Sequence, residues 1–149
     1  MNDPREQLNR FNELIKEMDS LYGEFAKAGG ISDAAFWILY TLRDEGPCTQ
    51  TKIYERWAMG KQTVNNEVKK LETTGMITLS TSTDDKRSKI LTLTKKGVEY
   101  AKNNIDIIFK IEQHIFEQLS SETRAALLSS CREYVKILRE ETETFIKSK

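Results

Sequence analysis

Residues 80 to 97 read STSTDDKRSKILTLTKKG, and the chemistry on offer there is that of an aimed cation. Arg87 carries a planar guanidinium that donates in fixed directions and is more weakly hydrated than an ammonium. Asp85, two residues earlier, is within reach of that fork and would hold it extended through a charge-assisted hydrogen bond. An arginine so held suits the DNA minor groove, whose negative potential deepens where A·T tracts narrow it. Asp84 reads as a residue of the bend itself, while Lys86, Lys89, Lys95 and Lys96 add a less directional positive field.

A second set of groups lies upstream, in KQTVNNEVKKLETTG. On a helix, Val64, Val68 and Leu71 share one stripe, which leaves Lys61, Gln62, Asn65, Asn66 and Lys69 on the outer face with Thr63 near its start. Lysine can bond to guanine O6 or N7, and asparagine or glutamine to adenine N6 and N7, so these residues are candidate base readers in a major groove. Thr49, Gln50, Thr51 and Thr63 fall near helix starts, where hydroxyls and backbone N–H groups meet phosphate.

Other chemistries find no support. There is no glycine-rich phosphate loop, no nucleophile and base constellation and no metal-ligand spacing, so the expectation is a non-enzyme without cofactor or metal. His114 is the only histidine. Cys48 and Cys131 stand apart, with no CxxC spacing, and read as buried small hydrophobes.

These groups need elements to hold them. The spacing predicts a first helix over about residues 5–28, where Leu8, Phe11, Ile15, Met18, Tyr22 and Phe25 form a heptad seam, stopped by Gly29-Gly30. A strongly apolar helix, AAFWILYTLRDE, follows behind Ser32 or Asp33 as cap and ends before Gly46-Pro47. Thr49 caps a short helix with Ile53, Trp57 and Tyr54 facing inward, a break at Met59-Gly60 leads into the recognition helix, and Gly75 ends it. Two short helices joined by a tight glycine-containing turn have helix-turn-helix form. MITLSTST and SKILTLT, joined by DDKR, read as a two-stranded hairpin whose apolar face is Ile77, Leu79, Leu91 and Leu93. A hairpin directly after a helix-turn-helix makes a winged helix. A long helical stripe from Val98 through Ala101, Ile105, Ile108 and Ile115 to Leu119 follows, then a last helix behind Ser120 or Ser121.

The chain of 149 residues has a formal net charge of zero, but the charges are segregated. Residues 1–46 carry 5 Lys/Arg against 9 Asp/Glu, residues 47–102 carry 11 against 6, and residues 103–149 carry 7 against 8. A basic middle on an acidic scaffold is the footprint expected of nucleic-acid binding. No apolar run approaches the ~20 residues of a membrane span, and the N-terminus lacks an apolar signal core, so a cytoplasmic protein without a membrane partner is expected. The long apolar faces of the terminal helices must be buried against themselves or another copy, and a two-fold homodimer is the simplest solution.

At this point the motifs resemble those of the MarR family of bacterial transcription regulators. DDKRSKILTLTKKG is similar to that family's wing signature, with Asp85, Arg87, Ser88, Leu91, Leu93, Thr94 and Gly97 matching position by position. TQTKIYERWAMGKQTVNNEVKKLETTGMI is similar to its helix-turn-helix at Thr63, Leu71, Glu72 and Gly75. The resemblance implies one mostly α domain over residues 1–149, with a winged helix-turn-helix at about 31–97, a small β-hairpin wing, and dimerisation helices at about 5–30 and 98–146. It also implies a homodimer on double-stranded DNA at a pseudo-palindromic operator, with half-sites ~34 Å apart, more often repressing than activating. Many members release DNA when a small-molecule effector binds, and Phe11, Tyr22, Trp37, Tyr40 and Trp57 are the aromatic candidates to line such a pocket, weighed against an ordinary core role. The chain departs from the thiol-sensing and histidine-rich metal-sensing branches. The competing reading is a winged-helix protein-interaction module whose basic middle meets an acidic partner.

Overall fold

A computed structural model describes residues 3–81 and 88–149. Among these, seven helices and three strands follow in the order α1 (Pro4–Ala28), α2 (Asp33–Glu45), β1 (Cys48–Thr49), α3 (Gln50–Arg56), α4 (Lys61–Thr73), β2 (Ile77–Thr81), β3 (Lys89–Leu93), α5 (Lys95–Asn104), α6 (Asp106–Gln118) and α7 (Ser121–Lys147). They form two compact units, Met1–Ile107 and Ile108–Lys149.

Local chemistry sets the helix limits. Asp3 accepts the Arg5 N–H at 3.0 Å ahead of Pro4, Ser32 accepts that of Ala35 at 3.1 Å, and Thr49 accepts that of Lys52 at 3.2 Å. Each such cap contributes about 1 kcal/mol. α1 and α4 end alike. Gly30 and Gly75 take φ of 72° and 79°, and the next residue donates back to the last turn, Ile31 to the Ala26 carbonyl at 3.1 Å and Met76 to that of Leu71 at 2.9 Å. α3 ends the same way without glycine. Ala58 takes φ of 51° and Met59 N–H donates to the Tyr54 carbonyl at 3.1 Å, so the break expected at Met59-Gly60 begins one residue earlier.

The first unit is built on α2, in which Ala35, Phe36, Ile38, Leu39, Thr41 and Leu42 are all buried. Ile53 of α3, Val64, Val68 and Leu71 of α4, Ile77 and Leu91 of the sheet, and Ala101 of α5 close around it. Full burial of each large aliphatic chain contributes roughly 1.5–3 kcal/mol.

The sheet departs from the expected hairpin by one strand. β2 and β3 pair antiparallel as foreseen, with Ile77 opposite Leu93, Leu79 opposite Leu91 and Thr81 opposite Lys89. β1 joins the other edge of β3, Cys48 opposite Leu91 and Thr49 opposite Ile90, giving the order β1-β3-β2. Two residues are too few to show an alternating pattern, so β1 leaves no trace in the sequence. The long stripe after the hairpin is also divided. Helical bonding is interrupted at Ile105, fully buried with φ of −107°, and Asp106, the first residue of α6, receives both Nε and Nη2 of Arg43 at 2.8 Å. That bidentate pairing raises the Arg43 pKa above its usual value.

In the second unit, Arg124 Nη1 donates to the carbonyls of Phe116 at 2.8 Å and Leu119 at 3.2 Å, satisfying the end of α6, and Ser120 caps α7 through the Thr123 N–H at 3.1 Å. No residue of α7 is buried within the single chain. Cys131 lies on it and is exposed, contrary to the expected buried role, whereas Cys48 is buried and desolvation raises its thiol pKa. His114 is exposed on α6. Among the described residues no helix is long and apolar enough to cross a membrane.

Thr94 joins α4, the sheet and α5. Its hydroxyl donates to the Gly75 carbonyl and accepts the Gly97 N–H at 3.0 Å, while its backbone N–H donates to the Met76 carbonyl at 3.0 Å. Gly97 is buried so close to this turn that a Cβ on it would stand 2.0 Å from the Met76 oxygen. Because backbone cannot yield as a side chain does, Gly97→Ala is expected to destabilise the fold by about 1–3 kcal/mol, read as a lowered thermal midpoint. An unchanged midpoint would contradict so close an approach.

Candidate nucleic-acid interface

α4 buries Val64, Val68 and Leu71 and exposes Lys61, Gln62, Thr63, Asn65, Asn66 and Lys69. All six recognition-helix candidates therefore lie away from the core. Their amides are already organised. Gln62 Nε2 donates to Asn66 Oδ1 at 2.9 Å, and Gln50 Nε2, from the start of α3, donates to Asn65 Oδ1. The Lys61 ammonium stands 5.4 Å from the centre of the Tyr54 ring. The N-cap of α4 is Gly60, which brings no side chain to the first N–H groups.

Of the residues expected to meet phosphate, Thr49 uses its oxygen as the α3 cap, and Gln50 is bonded to Asn65. The Thr51 hydroxyl accepts from the Tyr54 hydroxyl at 3.2 Å and faces that of Ser88 at 3.4 Å. A depression of about 320 Å³ opens here, lined by Gln50, Thr51 and Tyr54 of α3, Lys61 and Asn65 of α4, and Ser88 and Lys89 at the start of β3. Five of these were candidates from the sequence. Tyr54 was read as facing inward, but it is half-buried and lines the depression, its hydroxyl bonded to that of Thr51. Ser88 is 8% exposed. The signal for Tyr54 was its place three residues after Thr51, on the same face of a short helix. Among the wing candidates, Lys89 is exposed on β3, whereas Asp85, Lys86 and Arg87 lie outside the described residues.

Tyr22, Trp37, Tyr40 and Trp57 pack ring on ring. Trp37 stacks on Trp57 at 4.4 Å and meets Tyr22 and Tyr40 at 5.2 Å each. All four are half-buried, as is Phe11, about three turns earlier on α1. Trp57 is also held through its edge and its face. Its Nε1–H donates to the Thr41 hydroxyl at 2.6 Å, which in turn donates to the Trp37 carbonyl at 2.7 Å. The Arg56 guanidinium lies 4.8 Å from the Trp57 ring centre, and its Nη1 is 2.6 Å from Glu45. The cluster thus pins the end of α3 to α2, and with it the turn into α4.

Comparison with known proteins agrees with this geometry. A family model described as MarR family matches residues 29–88. The uncharacterized HTH-type transcriptional regulator SAS2155 of Staphylococcus aureus strain MSSA476 is 31% identical over 107 residues, covering 70% of this chain and 73% of the relative. Among solved structures, NMB1585, a MarR family regulator from Neisseria meningitidis, is similar with a TM-score of 0.80 and 24% identity, over 92% of this chain and 96% of that one. The S. aureus MepR–DNA complex is similar with a TM-score of 0.69 and 22% identity, over 87% of this chain and 96% of that one.

Thr41→Val keeps the side chain's shape while leaving the Trp57 N–H without its acceptor. The expected cost is about 1–3 kcal/mol, with a change in tryptophan emission, since both tryptophans of the chain are in the stack. Wild-type stability and emission in this variant would remove the hydroxyl from its anchoring role.

Proposed function

The chain belongs to the MarR family of helix-turn-helix transcriptional regulators, and from that premise we propose that it is a homodimer that occupies a pseudo-palindromic operator and represses nearby genes. The observation that carries this reading is the outer face of α4, where Lys61, Gln62, Thr63, Asn65, Asn66 and Lys69 are all exposed on one short helix within the basic middle of the chain. A helix so equipped fits the major groove, its amides aimed at adenine and its lysines at guanine or phosphate. The similarity to MepR, whose structure is a complex with DNA, supports this placement. Thr49, Gln50 and Thr51 would hold register on the backbone. Asp85 would aim Arg87 into the adjacent minor groove, with Lys86 and Lys89 adding field.

Two further features support dimerisation and control. α1 exposes Leu14, Met18 and Leu21, and α7 exposes Leu127, Leu128, Val135, Ile137, Leu138, Phe145 and Ile146. Apolar surface of this extent on each helix marks it for an interaction, and a second copy supplies the partner with two-fold symmetry. The half-buried cluster of Tyr22, Trp37, Tyr40 and Trp57 is the place where a small-molecule effector would act, because repacking these rings moves α3. A protein that works on promoters in this way is cytoplasmic.

The decisive measurement is selection from a genomic fragment library across salt concentrations, with a sequence-specific site expected. Weak, sequence-blind binding by a well-folded dimer would end this reading. Arg87→Ala is expected to reduce the salt slope by about one unit. Asp85→Ala is expected to weaken binding although it removes a negative charge; tightening would mean that Asp85 acts by simple repulsion. Leu138→Glu is expected to shift sedimentation toward the monomer and to lower operator affinity with it, and an intact dimer would place the interface elsewhere.

A further inference from the structure

We infer that the depression between α3, α4 and the start of β3 seats one phosphate of the DNA backbone, with Ser88 and Thr51 as its hydroxyl donors and Tyr54 as the residue that positions them. The inference rests on the DNA-binding reading above and adds to it a site with two residues, Tyr54 and Ser88, not otherwise given a role.

Tyr54 O–H donates to Thr51 Oγ1 across 3.2 Å, and the Thr51 and Ser88 hydroxyls face each other across 3.4 Å. Three hydroxyls hold three protons, and these two contacts use two of them. Whichever way the second contact runs, one proton on Thr51 or Ser88 remains to donate outward. That second contact is also long for a bond between hydroxyls, whose oxygens usually sit ~2.7–2.8 Å apart, so a stronger acceptor would displace it readily.

Lys61 and Lys89 line the same depression, and no carboxylate is among the described residues that line it. Asn65 accepts from Gln50 through Oδ1, which leaves its NH2 group as a further donor. Fixed positive charge with spare donors, and no carboxylate among the described lining residues, selects an anion of several acceptor oxygens, which describes a phosphate. Lys61, Asn65 and Lys89 are exposed and Ser88 is buried behind them. A rim of this kind suits a phosphate carried on a polymer, held by its neighbours on either side. Because α4 and β3 both contribute, one phosphate bound here ties the recognition helix and the base of the wing to the same stretch of backbone.

The test uses the full-length protein and a selected operator. Ser88→Ala is expected to weaken binding about tenfold and Tyr54→Phe about threefold, equally on all sequences and without change in salt slope, because no charge is removed. Lys89→Ala is expected to lower the slope by about one unit. Ethylation interference should find one phosphate per half-site whose ethylation weakens the wild type and no longer weakens Ser88→Ala. If Ser88→Ala does not fold, Tyr54→Phe, which keeps the ring, carries the same comparison. Sequence-specific wild-type binding with unchanged variants overturns the seat and leaves the function standing, whereas absence of wild-type DNA binding overturns both. Protection of the wild type by inorganic phosphate at constant ionic strength, lost in Ser88→Ala and with no ethylation-sensitive phosphate, reassigns the seat to a free anion and overturns the DNA assignment.

Discussion

The carbonyls at the end of α4 hold the first unit's working parts together. A helix leaves its last carbonyls without internal partners, and here those that follow α4 are met by the residues that follow β3. Lys96 Nζ reaches the Thr74 oxygen at 2.6 Å, the Thr94 hydroxyl reaches that of Gly75, and the Thr94 N–H reaches that of Met76 at 3.0 Å. The chain leaves α4, runs out along β2, returns along β3 and is fastened where it left. The bases of both strands are therefore tied to α4, and the close approach that fastens them admits no side chain at Gly97.

The opposite end of the helix-turn-helix is held by different forces. α3 has seven residues, too short to be stable alone, and depends on its attachments. Thr49 caps it, the pairing of Cys48 with Leu91 ties its approach to the sheet, and the Trp57 indole closes its end against Thr41 and Trp37. The left-handed Ala58 then turns the chain into α4 at a cost of about 1 kcal/mol, offset by the surrounding contacts. A substitution that disturbs the aromatic cluster therefore acts on α3 directly, and on the depression that α3 shares with α4 and β3.

Much of this was legible in the residues. A cap at Ser32 or Asp33, one at Thr49 and one at Ser120 or Ser121, the glycine stops, the apolar stripe of Val64, Val68 and Leu71, and the two strands of the hairpin all follow from short-range rules; the structure agrees, with Ser32 and Ser120 as the caps. The outward face of α4 followed from that stripe by geometry alone. What escaped was either very short or dependent on partners distant in the chain. β1 is two residues long; the interruption at Ile105 is flanked by an ion pair between residues 63 apart; and Ala58 takes a backbone conformation its side chain disfavours.

The sequence by itself determined the longer elements, their order and the outward face of α4, because periodicity and capping act over three or four residues. Only the tertiary structure decided that Tyr54, Thr51 and Ser88 share a hydroxyl chain, that Gln50 bonds to Asn65 across the turn, and that Tyr22, Trp37, Tyr40 and Trp57 meet in one aromatic cluster. Thr51 and Ser88 are separated by 37 residues. No local pattern encodes a contact at that range; it arises when β1, β3 and α4 are assembled around α2.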